Sequence, residues 1–270
     1  MNRHTTAIHP TAIISPEAEI GVGVKIGPYS IIGPDVQIRD RCLIGPHVVI
    51  EGHTRVEEDA HIFQFASIGA IPQDLKYNGE PTGVEIGAGT IIREGVTVHR
   101  GTEEGRGVTS VGRLCMLMAY SHVAHDCKLG DNVILANSVA MGGHVTIGKY
   151  ATIGGLCAIH QFCTVGEYAF MGGMSGTNKD IPPYTMYWGQ RENLSGLNAI
   201  GLRRHGFSPK TIKALRDAYR IIFTTSSTIT EGLSQAEKKY PDVPEVKKFT
   251  EFIRTSKRGV PSGGPERETG

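Results

Sequence analysis

The stretch AIISPEAEIGVGVKIGPYSIIGPDVQI, residues 12–38, puts an isoleucine at every sixth position: Ile14, Ile20, Ile26, Ile32 and Ile38. The same phase reaches back to Ile8 and forward through Ile44, Ile50, Val56, Ile62 and Ile68. It resumes at Ile86, Ile92 and Val98. A shifted register then runs from Val111 and Leu117 through Val123, Leu129, Leu135, Met141, Ile147, Ile153, Ile159 and Val165 to Met171. An amphipathic helix would repeat at i, i+3, i+4 and i+7 instead. A hexad with one large aliphatic anchor suits a short strand and a turn. Three hexads close a triangular coil of about 18 residues, and successive coils stack as parallel strands. The lattice breaks twice, near residues 70–85 and 99–110.

The other hexad positions agree with this reading. Four residues after each anchor stands a small or β-branched residue, and all five cysteines, Cys42, Cys115, Cys127, Cys157 and Cys163, occupy that place. An odd number without Cys-x-x-Cys disfavours a disulfide frame or a zinc ribbon. They read as buried, reduced thiols, which points to the cytoplasm. The residue after the anchor is often glycine (Gly21, Gly27, Gly33, Gly130, Gly148, Gly154, Gly166), which reads as a corner with unusual backbone angles.

Beyond Met171 the composition changes. Pro182-Pro183 reads as the end of the repeat. Ser208-Pro209 reads as a helix start, followed by a stripe of Ile212, Leu215, Ala218, Tyr219 and Ile222. Further helices are expected over 230–239 and 243–256. The expected organisation is a β-helix over 1–187, an α-helical domain over 188–260 and a disordered tail over 261–270. With 28 basic against 27 acidic residues, the net charge of +1 argues against a nucleic-acid binder relying on overall basicity. No apolar run approaches the ~20 residues of a membrane span, and MNRHTTAIHP lacks the apolar region of an export signal.

Chemistry concentrates near the broken coils, where His99, His122, His125, His144 and His160 fall. In SHVAHDCKLGD, residues 121–131, the two histidines would share a face on a helix. On a strand they point apart, which makes them a poor metal pair. One coil on from His125 comes Gly143, and another brings Gln161, so the three should form a column with strands ~4.8 Å apart. A neutral imidazole is suited to take a proton from an alcohol, and a glycine N–H is open to an oxyanion. The column therefore suits acyl transfer to a hydroxyl. On a strand, Asp126 should face away from its neighbour His125.

The segments IHPTAI, FQFASIG, PQDLKYNGEPT, VHRGT, AHDC, GGHV, HQFC, GGMSG and GLRRHGFS, in this order, resemble the acyl-carrier-protein-dependent UDP-N-acetylglucosamine O-acyltransferases that begin lipid A synthesis. The resemblance implies a left-handed parallel β-helix with a C-terminal α-helical domain, assembled as a cytoplasmic homotrimer. It implies transfer of an (R)-3-hydroxyacyl chain from acyl carrier protein to the glucosamine 3-hydroxyl of UDP-N-acetylglucosamine. No metal or other cofactor is implied, because the donor is the carrier's own phosphopantetheine thioester. The implied base is His125, its partner Asp126, and the oxyanion donor Gly143. Substrate contacts carry over to Asp74, Lys76, His99, His122, His144, His160, Gln161, Asn198 and Arg204, and Gly173 matches the position that measures the acyl chain. Ile200, His205 and Arg191 depart from the family pattern. The basic segment holding Lys210, Lys213 and Arg216 suits docking of an acidic carrier protein. The pattern leaves open the acyl length and a 3-hydroxyl against a 3-amino acceptor. The competing reading is a zinc-dependent, carbonic-anhydrase-like hydratase, which uses the same repeat and three histidine ligands.

Overall fold

Each hexad becomes a two-residue strand whose second member is the anchor, as in Lys25–Ile26, Ile31–Ile32 and Gln37–Ile38. The computed structural model describes residues 5–189 and 193–264. The strands stack in three parallel sheets that form the faces of a prism. The first face starts at Ala7–Ile8, the second at Ile13–Ile14 and the third at Glu19–Ile20. Anchors align in register, Ile8 with Ile26, Ile14 with Ile32 and Ile20 with Ile38. The fold is a left-handed parallel β-helix.

The anchors fill the prism, and Ile32, Ile50, Ile62, Ile86, Leu117 and Leu135 are among its most deeply buried side chains. Each contributes about 1.5–3 kcal/mol by leaving water. All five cysteines are buried and free, as expected.

The corners differ from the sequence reading. Left-handed backbone angles fall three residues after the anchor, at Tyr29, Asp35, Arg41, His47, Asp126, His144 and their equivalents, with φ of 54–67° at the non-glycine ones. Among the described residues, none of the non-glycine residues in this conformation is Val, Ile or Thr, for which positive φ is most costly. The glycines directly after the anchors have a different cause. A Cβ on Gly27 would lie 2.7 Å from the Pro46 nitrogen, and one on Gly130 would lie 2.7 Å from the Lys149 nitrogen. They are glycines because the next coil passes too close for a side chain.

Both interruptions leave the same corner, between the second and third faces. The register on the first face jumps from Ile44↔Ile62 to Ile62↔Ile92, because the chain between Ser67–Ala70 and Gly83–Ile86 loops outward. A second, shorter loop lies between Thr97–His99 and Val108–Val111.

The Pro182-Pro183 pair does not end the lattice. Ile181 still bridges Val165, Tyr184 takes the corner angle with φ 67°, and Thr185–Trp188 adds to the first face. Asn193–Leu197 pairs antiparallel with that strand, and Ser262–Gly263 joins in turn. The expected boundary at 187 and tail from 261 are thereby corrected, because backbone pairing carries the sheet past both. Residues 265–270 of that tail lie outside the described residues. Among the described residues four α-helices lie between Asn193–Leu197 and Ser262–Gly263: α1 (Ala199–Arg204), α2 (Pro209–Arg220), α3 (Ile229–Lys239) and α4 (Pro244–Thr255). Ser208 caps α2 by accepting from the Thr211 N–H at 3.0 Å. α1 and a π-helical turn at Ile221–Thr225 were not foreseen. Among the described residues no helix is long and apolar enough to cross a membrane.

Candidate active site

The corner that carries both loops also carries His125 and Asp126. They occupy a turn, not a strand, and Asp126 has φ 61°. The left-handed angle swings its side chain back beside its neighbour, so Asp126 Oδ2 lies 2.9 Å from His125 Nδ1. The expectation that adjacent residues face apart is overturned by this corner geometry.

Asp126 is buried and held by the second loop. Thr102 donates through its N–H (3.1 Å) and Oγ1 (2.7 Å) to Oδ2, and the Arg106 N–H donates to Oδ1 at 2.7 Å. Burial alone would raise the carboxyl pKa, but the hydrogen bonds from Thr102, His125 and Arg106 together lower it. A carboxylate accepts only, so His125 Nδ1 carries the proton and Nε2 keeps its lone pair. The Cε1–Nε2 edge of the ring lies against Gly143: a Cβ there would meet Cε1 and would sit 2.5 Å from Nε2. Gly143 is thus the one residue type that lets the imidazole lie against its backbone. Among the described residues no acceptor is bonded to the Gly143 N–H.

The column expected from the coil period is formed. His125 O accepts from the His144 N–H at 3.0 Å, and Gly143 O accepts from the Phe162 N–H at 3.1 Å, next to Gln161. His144 stacks on Phe162 with centroids 4.5 Å apart and meets His125 edge-on at 5.0 Å. Burial lowers its pKa, against the pull of Asp126.

His99, on the coil before, meets His122, on the strand that leads into the His125 turn, edge to face at 4.8 Å. Burial, then His122 and His125, push the His99 pKa down to about 4. Among the described residues its buried Nδ1 has no hydrogen-bond partner. His122 is lowered by burial and by His125, and its Nδ1 is 2.7 Å from Thr97 Oγ1. Burial thus disfavours the charged form of His99, His122 and His144 around His125.

Lys76 and Asp74 stand on the first loop, where the Asp74 carboxylate caps the Lys76 N–H at 3.0 Å. Lys76 Nζ reaches the second loop and pairs with Glu104 at 2.5 Å, and both side chains are exposed. His160 and Gln161 lie further down the corner, exposed, with Arg258 Nη2 3.2 Å from His160 Nδ1.

Three predicted residues lie elsewhere. Asn198 caps α1, accepting from the Gly201 N–H (3.1 Å) and donating to Tyr168 O (3.0 Å). Arg204 is exposed at the end of α1, and His205 packs on Tyr150 and Tyr168. This is the corner between the third and first faces. Gly173 sits on the remaining corner, exposed, with only Gly155 backbone within reach of a Cβ, 3.3 Å away. Within one chain the prism keeps these apart from His125. Ile200 lies in α1, and Arg191 is outside the described residues. The sequence reading missed Thr97, Thr102, Arg106 and Arg258. Only Thr102, in the HRGT motif at the loop base, left a local signal.

His125, Asp126 and His144 place donor atoms within 4.8 Å of one another. The Asp126 oxygens, however, already accept from Thr102 and Arg106, which leaves a poor carboxylate ligand for a cation.

The bacterial transferase hexapeptide model (six repeats) matches residues 17–52 and 109–143. A parallel β-helix carrying an imidazole–carboxylate pair beside an open glycine amide defines a hexapeptide-repeat acyltransferase. The model for domain 2 of UDP-N-acetylglucosamine O-acyltransferase matches residues 180–261. An acyl-[acyl-carrier-protein]–UDP-N-acetylglucosamine O-acyltransferase of Thermodesulfovibrio yellowstonii is 49% identical over 94% of this chain and 98% of its own. LpxA from Acinetobacter baumannii superposes with a TM-score of 0.90 at 44% identity, covering 94% of this chain and 98% of that one. The UDP-N-acetylglucosamine acyltransferase of Bacteroides fragilis gives 0.91 at 42% identity, over 93% and 98%. The chain belongs to the UDP-N-acetylglucosamine O-acyltransferase family. The zinc-hydratase alternative draws no support from these relatives.

Proposed function

We propose that this chain transfers an (R)-3-hydroxyacyl group from acyl carrier protein to the glucosamine 3-hydroxyl of UDP-N-acetylglucosamine, the first step of lipid A biosynthesis. The observation that carries the reading is the Asp126–His125 pair with Nε2 set against Gly143. His125 Nε2 takes the hydroxyl proton as the sugar oxygen attacks the thioester carbonyl. The C–O bond forms, and the oxyanion accepts from the Gly143 N–H. The C–S bond then breaks, and the imidazolium returns its proton to the departing thiolate. Asp126 stabilises the imidazolium in between. Every proton is accounted for by these residues, and the step as proposed calls on no metal or other cofactor.

Lys76 suits the sugar-nucleotide phosphates as a point charge, and such an anion has to displace Glu104. Asn198 and Arg204 contact the nucleotide from a neighbouring copy, because they stand on a different corner from His125. A homotrimer also covers the second face. Its outward positions are uncharged, and Ile13, Ile31, Phe65, Tyr120, Leu156 and Met174 are exposed on or beside it. The exposed basic side of α2 docks the acidic carrier, and unpaired buried thiols suit the cytoplasm. The test is His125→Ala in the full chain. It should lose at least about 10²–10⁴ in turnover, the worth of a general base, with trimer and melting curve retained; unaltered turnover refutes the assignment.

A further inference from the structure

The helical domain returns one cation to the active corner. After α4 the chain runs along the last coil, tied to Asp180, which is 4% exposed. Ser256 Oγ donates to Asp180 Oδ2 at 2.6 Å, the Thr164 N–H donates to Oδ1 at 2.7 Å, and the Asp180 N–H donates to Gly259 O at 2.9 Å. This clamp fixes the chain on either side of Arg258. Its Nε donates to Asn178 O at 3.1 Å, and its Nη2 lies 3.2 Å from His160 Nδ1.

The contact decides where the His160 proton sits. A guanidinium only donates and stays protonated, so it needs a bare Nδ1. Gln161 O, 3.1 Å from the same Nδ1, would need the opposite, an Nδ1–H. The charge-assisted bond is the stronger of the two. Its outcome leaves the proton on Nε2.

We propose that Arg258 is a positioning residue for this reaction: it sets His160 as the Nε2–H tautomer, so the lower end of the site offers substrate a hydrogen-bond donor. The partner is then an acceptor oxygen, a carbonyl, hydroxyl or phosphate, of the acyl donor or the sugar nucleotide. Without Arg258 the ring proton moves to Nδ1, which donates it in a hydrogen bond to Gln161 O, and Nε2 turns from donor to acceptor toward the same oxygen. The proposal rests on this corner being the substrate face.

The test is long-range ¹H–¹⁵N correlation on histidine-labelled full-length protein, with His160→Ala assigning the ring. The wild type should show a protonated Nε2 and a bare Nδ1. Arg258→Met should move the proton to Nδ1, and Arg258→Lys, which keeps a charged donor, should restore the wild-type pattern. In steady state, Arg258→Met should raise the KM of one of the two substrates about five- to tenfold, the worth of one inverted hydrogen bond, with kcat little changed. A wild-type ring protonated at Nδ1, ring signals unmoved by Arg258→Met, or a moved proton with both KM values unchanged would each overturn the proposal. The ring signals are read without substrate, so they stand even if His125→Ala retains turnover and the base assignment fails.

Discussion

Asp126→Asn tests the proposed pairing of His125 and Asp126 in catalysis with almost no change in shape. In one orientation the Asn carbonyl replaces Oδ1 and keeps the Arg106 N–H bond of 2.7 Å and the Thr102 N–H, 3.2 Å from the same oxygen, while its NH₂ replaces Oδ2. That NH₂ faces Thr102 Oγ1, which is free to turn and accept, and His125 Nδ1, which must give up its proton to accept. In the flipped orientation the NH₂ meets the Arg106 N–H donor head-on, at a cost of about 1–3 kcal/mol for buried donors left unmade. The first orientation wins, so the His125 proton moves to Nε2 and the base loses its lone pair. The imidazolium also loses its counter-charge. We expect kcat to fall about 10²–10⁴-fold with KM little changed, measured by product formation at saturating substrates. Turnover within about threefold of wild type would refute the orienting role.

The same change has a stability signature. The Asp126 carboxyl is depressed in the fold, so its contribution is fully present above the unfolded value of ~3.9 and is lost as pH falls through the folded value. The wild type should therefore lose stability on acidification in a window below ~3.9 where Asp126→Asn does not, as melting temperature against pH will record.

Gly143→Ala forces a methyl against His125 Nε2; a displaced imidazole should cost about 10²-fold in kcat while the melting temperature moves little. Gly173→Met fills the open space above Gly155 and should shift the preferred acyl length downward in a competition assay; an unchanged chain-length profile sinks the ruler assignment. Charge reversal at Lys210, Lys213 and Arg216, on the exposed side of α2, should raise the KM for acyl carrier protein and leave that for the UDP-sugar unchanged. Burial pushes the thiols of Cys115 and Cys127 up to about 11 and about 12, so neither should react with a thiol reagent at neutral pH until the protein unfolds.

Much of the site was legible because the lattice is periodic. A fixed coil length turns sequence offset into vertical stacking, and His125 over Gly143 over Gln161 follows from counting alone. Counting fails at the corners and across the ends. The partnership of His125 and Asp126 depends on one left-handed residue that alternation along a strand does not foresee. The glycines after the anchors were placed correctly but for the wrong reason, since their cause is the neighbouring coil and not their own backbone angles.

By itself the sequence determined the β-helix, its anchors, its two loops, the thiol positions and the column of His125, Gly143 and Gln161. All of these arise from local, repeating constraints, and burying one aliphatic side chain per hexad leaves little freedom in the register. Tertiary structure alone decided that both loops leave one corner and that Thr102 and Arg106 hold Asp126. It also set Arg258 beside His160 and separated His125, Arg204 and Gly173 onto three corners. Those contacts join segments that share no period, so only the path of the folded chain brings them together or holds them apart.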